Sequence, residues 1–97
     1  MTTPLPVGVV GCGNISSAYL RNMTRMPAVR VAACADLDAA RAAAQAAQFN
    51  VPRACTPDEL LADPDIAIVV NLTTPQSHHA VALAALRAGK SVYNEKP

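Results

Sequence analysis

The chain has 97 residues, room for one compact core and not for two. A net charge of +1 and 3% aromatic residues give neither the field nor the stacking platform that nucleic acid requires. Hydrophobic residues make up 52%, yet no apolar run reaches the roughly 20 residues of a membrane span and no basic-then-apolar leader opens the sequence, so a soluble cytoplasmic protein is expected.

Short β-branched runs alternate with alanine-rich helical stretches, the pattern of βαβ units around a parallel sheet. The first run, Pro6 to Val10, is apolar on both faces and ends in Gly11-Cys12-Gly13. A helix is expected from about Asn14, burying a stripe of Ile15, Tyr19, Met23 and Met26 and ending before Pro27. Val29 to Ala35 reads as the second strand. Asp36 follows it, Asp38 caps a helix over Ala39 to Gln48, and Asn50 stops that helix.

A third strand is expected over Val51 to Ala54. Thr56-Pro57-Asp58-Glu59 then forms a capping box opening a brief helix that ends at Asp63-Pro64. Ile66 to Val70 reads as the fourth strand and Asn71 to Pro75 as a loop. Gln76 to Ala88 reads as a helix stopped by a left-handed Gly89, and Ser91 to Asn94 as the fifth strand leading into Glu95-Lys96-Pro97. The fold class implied is α/β, a Rossmann-type doubly wound parallel sheet of about five strands, incomplete at its C-terminal end.

Gly11-Cys12-Gly13-Asn14-Ile15-Ser16 matches the G-x-G-x-x-G dinucleotide fingerprint, with Ser16 in the third glycine's place. Gly11 permits the turn and Gly13 lets backbone approach a pyrophosphate. The free amides of the new helix then supply positive potential. Alone such a pattern is weak, but strand, turn and helix follow in the required order. Asp36 lies 23 positions after Gly13, near the roughly 20-residue offset at which a carboxylate holds the ribose hydroxyls. The same carboxylate repels a 2′-phosphate, and Leu37 beside it offers no arginine, which favours NAD over NADP.

Cys12, Cys34 and Cys55 show no C-x-x-C spacing and read as small buried thiols. His78 and His79 point about 100° apart on a helix with no companion ligands, so no metal site is expected. Lys96 falls beyond the fifth strand, where ligands of open α/β sheets bind. From chemistry alone, a lysine that polarises a substrate oxygen and a solvated surface lysine are equally good readings.

The stretch NLTTPQSHHAVALAALRAGKSVYNEKP, together with GCGNIS near the start, closely resembles the glucose-fructose oxidoreductase and inositol dehydrogenase family, also written Gfo/Idh/MocA. The resemblance spans essentially the whole chain. It rests on Thr-Pro after the fourth strand, a histidine soon after, Ala-Gly-Lys at the helix end and Glu-Lys-Pro after the fifth strand. It implies that Leu72, Thr73 and Pro75 line the cofactor alongside Gly11, Cys12, Gly13, Asn14, Ile15 and Asp36. His78 is then the motif histidine, His79 is incidental, and Glu95 and Lys96 reach the nicotinamide end. Lys96 becomes the catalytic candidate, orienting a substrate hydroxyl while hydride passes to or from the ring. Ser91 and Asn94 depart from the residues common in the family.

What the resemblance implies is the NAD(P)-binding domain, residues 1–97, of a dehydrogenase acting on a sugar, sugar acid or inositol. The substrate domain and its general acid/base would lie outside the chain, and the full-length protein is expected to be a homo-oligomer. A chain ending here would leave a sheet edge and apolar surface uncovered, which predicts poor solubility or self-association and no unaided turnover. Two readings of other classes are an NAD-binding sensor or scaffold module and an S-adenosylmethionine-dependent methyltransferase. Glu95-Lys96-Pro97 and the loop from Thr73 to His78 argue against the methyltransferase.

Overall fold

A computed structural model describes residues 4–13 and 15–94. Five parallel strands form one sheet in the order β3-β2-β1-β4-β5: β1 Leu5–Val10, β2 Val29–Ala35, β3 Ala54–Cys55, β4 Ile68–Asn71 and β5 Ser91–Asn94. Four helices connect them: α1 Ser16–Met23, α2 Ala39–Phe49, α3 Pro57–Ala62 and α4 Pro75–Arg87. The doubly wound α/β expectation is met, with β1 and β4 side by side at the point where the strand order reverses.

Alternation along β1 sends its residues to two separate cores. Val7 and Val9 pack with Leu20 and Met23 of α1 and with Ala42 and Ala46 of α2 on one face. Val10 joins Leu60 of α3 and Ala85 of α4 on the other. Alanine on α2 and α4 keeps those helices near the sheet. Gly8 does the same for α3, since a Cβ there would stand 2.7 Å from the Leu60 side chain.

Several boundaries move, each for a local reason. Helix α1 starts at Ser16, not near Asn14, and it buries Ser16, Leu20 and Met23. Ile15 and Met26, expected in that stripe, lie outside the helix and are 45% and 48% exposed, while Tyr19 is half-buried. The position facing the strand is Ser16, the small residue that the third place of the fingerprint calls for. Strand β3 begins after Pro52, which has no amide to donate. Val51 still belongs to the end of α2, its N–H bonding to the Ala46 carbonyl behind the left-handed Asn50. Ile66 likewise lies in the turn after α3, its N–H bonding to the Asp63 carbonyl, so β4 runs two residues later than expected at its start. Pro75 opens α4 in place of closing the loop, its missing amide costing nothing in the first turn.

The opposite end of the sheet is tied by Lys90. Only 7% exposed, its Nζ donates to the Asp63 carbonyl at 2.6 Å and the Ile66 carbonyl at 2.8 Å, joining the turn after α3 to the start of β5. The lysine of the Ala-Gly-Lys motif is thus a structural tie, with its charge satisfied by backbone oxygens.

Candidate nucleotide-binding site

At the carboxyl ends of β1, β2 and β4 lies a groove of about 670 Å³. Gly11, Gly13, Asp36, Leu37, Arg41, Leu72 and Thr73 line it, with Pro57, Asp58 and Leu61 of α3 and Gln76, Ser77 and Ala80 of α4. Gly11 has φ of 102°, and a Cβ on it would sit 2.7 Å from the backbone carbonyl of Leu72, so both the turn and the approach of the β4 loop require glycine here. Gly13 differs, because among the described residues, its chain neighbours aside, nothing stands within 4 Å of the position its Cβ would take. The backbone there is bare and open, as contact with a flat or charged ligand demands.

The loop between them is held from β2. Asp36 accepts the Cys12 N–H at 2.7 Å through one carboxylate oxygen and the Asp38 N–H at 2.8 Å through the other. Asp36 is therefore a loop tether as well as a candidate ribose ligand, and Asp38 does the capping of α2 by accepting from the N–H groups of Ala40 and Arg41. The Cys12 side chain points into the core; a hydrogen bond with Cys34 and burial push its thiol above the usual range. Cys34 is buried as well and its thiol is lowered by the bond from Cys12; Cys55 is half-buried, and burial raises its thiol.

On the β4 side Asn71 organises the loop. Fully buried, it donates to the His78 carbonyl at 2.8 Å and to Asn94 at 3.1 Å, and accepts from the Thr73 hydroxyl at 2.6 Å. The bond to Asn94 gives that departure from the family pattern a structural use. Sequence reasoning placed Asn71 in the loop and gave it no role, although an asparagine ending a buried apolar strand was a usable signal.

The expected site residues divide. Gly11, Gly13, Asp36, Leu72 and Thr73 come together in the groove. Cys12 contributes its backbone, Ile15 stands at the start of α1, and Pro75 is the first residue of α4 but does not line the groove. His78 is half-buried and its Nε2 has no hydrogen-bond partner among the described residues. Asn14, Glu95 and Lys96 lie outside the described residues. Arg41 was missed: no arginine neighbours Asp36 in sequence, but the first turn of α2 brings Arg41 into the same groove. Among the described residues no three His, Cys, Asp or Glu side chains cluster as metal ligands, and no helix is long and apolar enough to cross a membrane.

Similarity to known proteins agrees with this geometry. The chain is 39% identical over 93 residues to inositol 2-dehydrogenase 2 of Saccharopolyspora erythraea, covering 94% of the chain and 27% of that protein. The structure of GenD2 from gentamicin A biosynthesis, in complex with NAD, superposes with a TM-score of 0.91 at 32% identity, over 100% of this chain and 28% of that one. KijD10, a 3-ketoreductase from Actinomadura kijaniata in complex with NADP and TDP-benzene, gives a TM-score of 0.91 at 31% identity, over 98% and 30%. The chain thus spans little more than a quarter of the length of these relatives. Residues 5–97 match the Gfo/Idh/MocA oxidoreductase family, NAD-binding Rossmann fold, and the chain belongs to that family as its NAD-binding domain.

Proposed function

We propose that the chain forms the nucleotide-binding part of an enzyme that moves a hydride between a nicotinamide cofactor and a hydroxyl or carbonyl carbon of a sugar, sugar acid or inositol. The observation that carries this reading is the open backbone at Gly13, at the start of α1, in one groove with the Asp36 carboxylate. Open glycine backbone at one end and a carboxylate at the other fit a diphosphate and a ribose. The names of the relatives, an inositol 2-dehydrogenase and a 3-ketoreductase among them, support the substrate class.

In this reading Gly11 and Gly13 shape the diphosphate cradle, Asp36 accepts from the ribose hydroxyls, and Leu72 and Thr73 border the path toward the nicotinamide. The bound cofactor supplies the hydride chemistry itself. Lys96 holds the substrate oxygen, and the proton acceptor comes from a domain outside this chain. The substrate is a small molecule, and the complete enzyme is a cytoplasmic homo-oligomer. Asp36 favours NAD by repelling a 2′-phosphate. Arg41, lining the same groove, offsets part of that repulsion and narrows the preference.

The test is a titration with NADH, NADPH and S-adenosylmethionine, following nicotinamide fluorescence and melting temperature, repeated on Asp36→Ala. The expected result is binding of NADH ahead of NADPH, lost in the variant. Stabilisation by S-adenosylmethionine alone would overturn the assignment.

A further inference from the structure

Ser16 occupies the third position of the glycine fingerprint and is fully buried against the sheet. Its hydroxyl donates to the Gly13 carbonyl at 2.6 Å. The same oxygen accepts a hydrogen bond of 2.7 Å from Nε2 of Gln45, two turns into α2, and that amide gives its other hydrogen to the Ser17 hydroxyl at 3.0 Å. Gln45 is itself only 9% exposed, on a helix face otherwise built of alanine. Both hydrogens of one buried amide are thus spent on the first turn of α1.

A hydroxyl can rotate, and alone Ser16 has a choice of acceptors. With Gln45 donating to it, its proton is directed to Gly13, so the chain from Gln45 through Ser16 to the Gly13 carbonyl pins the residue whose bare backbone faces the groove. The Asp36 bond to the Cys12 amide pins the loop one residue earlier. A glycine in place of Ser16 would permit the close packing but could not transmit this hold. Between the two tethers lies a hollow of about 410 Å³ lined by Cys12, Gly13, Ser17, Arg41, Ala44 and Gln45, where a loop without tethers would have room to shift.

We propose that Gln45 is a positioning residue for the diphosphate of the dinucleotide, acting through Ser16 to fix the direction of the Gly13 carbonyl. This rests on the nucleotide-binding reading above. Gln45 makes no claim on the ligand itself. Its effect is preorganisation: a loop held in its binding shape spends no ligand affinity on ordering. The effect should therefore scale with the presence of the diphosphate and spare the adenosine end, which Asp36 serves.

Binding of ADP-ribose, NADH and adenosine to the chain and to Gln45→Met, of similar volume but without the amide, tests this. ADP-ribose and NADH should weaken by about tenfold, the order expected for loss of a preorganising bond, while adenosine stays within about twofold. Ser16→Ala removes the donor to Gly13 at almost no change in volume. It should show the same selective loss, and it carries the test if Gln45→Met does not fold, as judged by circular dichroism. Unchanged ADP-ribose binding in folded variants would overturn the proposal. So would an equal loss for adenosine, which marks a merely structural role. Failure of the unmodified chain to bind NADH or ADP-ribose would instead strike at the nucleotide-binding reading.

Discussion

The four helices of this molecule begin in two different ways. Helices α2 and α3 close their own N-termini: Asp38 accepts from two amides of the first, and Thr56 and Glu59 form a reciprocal capping box on the second, where Asp58 and Glu59 add negative charge to the first turn. Among the described residues, helices α1 and α4 show no side-chain cap and no acidic residue in the first turn. All four starts border the groove, α1 through the preceding Gly13, α2 through Arg41, α3 through Pro57 and Asp58, and α4 through Gln76 and Ser77. A helix start without a side-chain cap gives up about 1 kcal/mol of stability and keeps its partial positive charge for a ligand, although the Ser16 and Ser77 N–H groups turn back to the Gly13 and Thr74 carbonyls. The difference separates helix starts closed by their own side chains from those left open toward the groove that all four share.

Closing an open start should produce the largest effect. Ala18→Asp places a carboxylate on an exposed position of the first turn of α1. It should raise stability by about 0.5 kcal/mol through the helix dipole and weaken NADH binding by about tenfold through repulsion of the diphosphate, read by urea unfolding and fluorescence titration. A variant that gains stability and keeps its affinity would break the comparison.

Opening a closed start should do the reverse. Thr56→Ala removes the hydroxyl that accepts the Glu59 N–H at 3.1 Å and should cost about 1 kcal/mol without altering the NADH dissociation constant. The smallest effect is on pH. The Thr56 backbone N–H, donating at 2.9 Å, and then its hydroxyl hold the Glu59 carboxyl below its ordinary value of 4.5. A carboxylate with a lowered folded pKa contributes stability above its unfolded pKa and loses it as pH falls through the folded one. Melting temperature should therefore fall less for Glu59→Gln than for the unmodified chain between about pH 5 and about pH 3.

The same contrast explains what could be read from the sequence. Caps are local signals, so Asp38, Asn50, the box at Thr56 and the left-handed Gly89 are all found where the residues place them. The parallel sheet of βαβ units followed from the alternation of β-branched and alanine-rich segments. Contacts between elements far apart in sequence were not legible. Gln45 meets Ser16 across 29 positions, and even Arg41, in the first turn of α2, meets Leu72 and Thr73 of the β4 loop only in the folded groove. Asp36 was found by its offset from the glycine loop, yet its bond to the Cys12 amide depends on the register of β1 beside β2. Lys90 carries no mark in sequence that distinguishes a buried tie from a surface charge.

The most direct measurement of the central claim is the affinity of Gly13→Val for NADH, taken together with its melting temperature. Open space around Gly13 predicts a folded protein with little change in melting temperature. The added side chain would stand where the diphosphate must meet the backbone, so NADH binding should fall by tenfold or more, about 1.4 kcal/mol at the least. A folded Gly13→Val that binds NADH as the unmodified chain does would contradict the assignment of this loop as the nucleotide cradle.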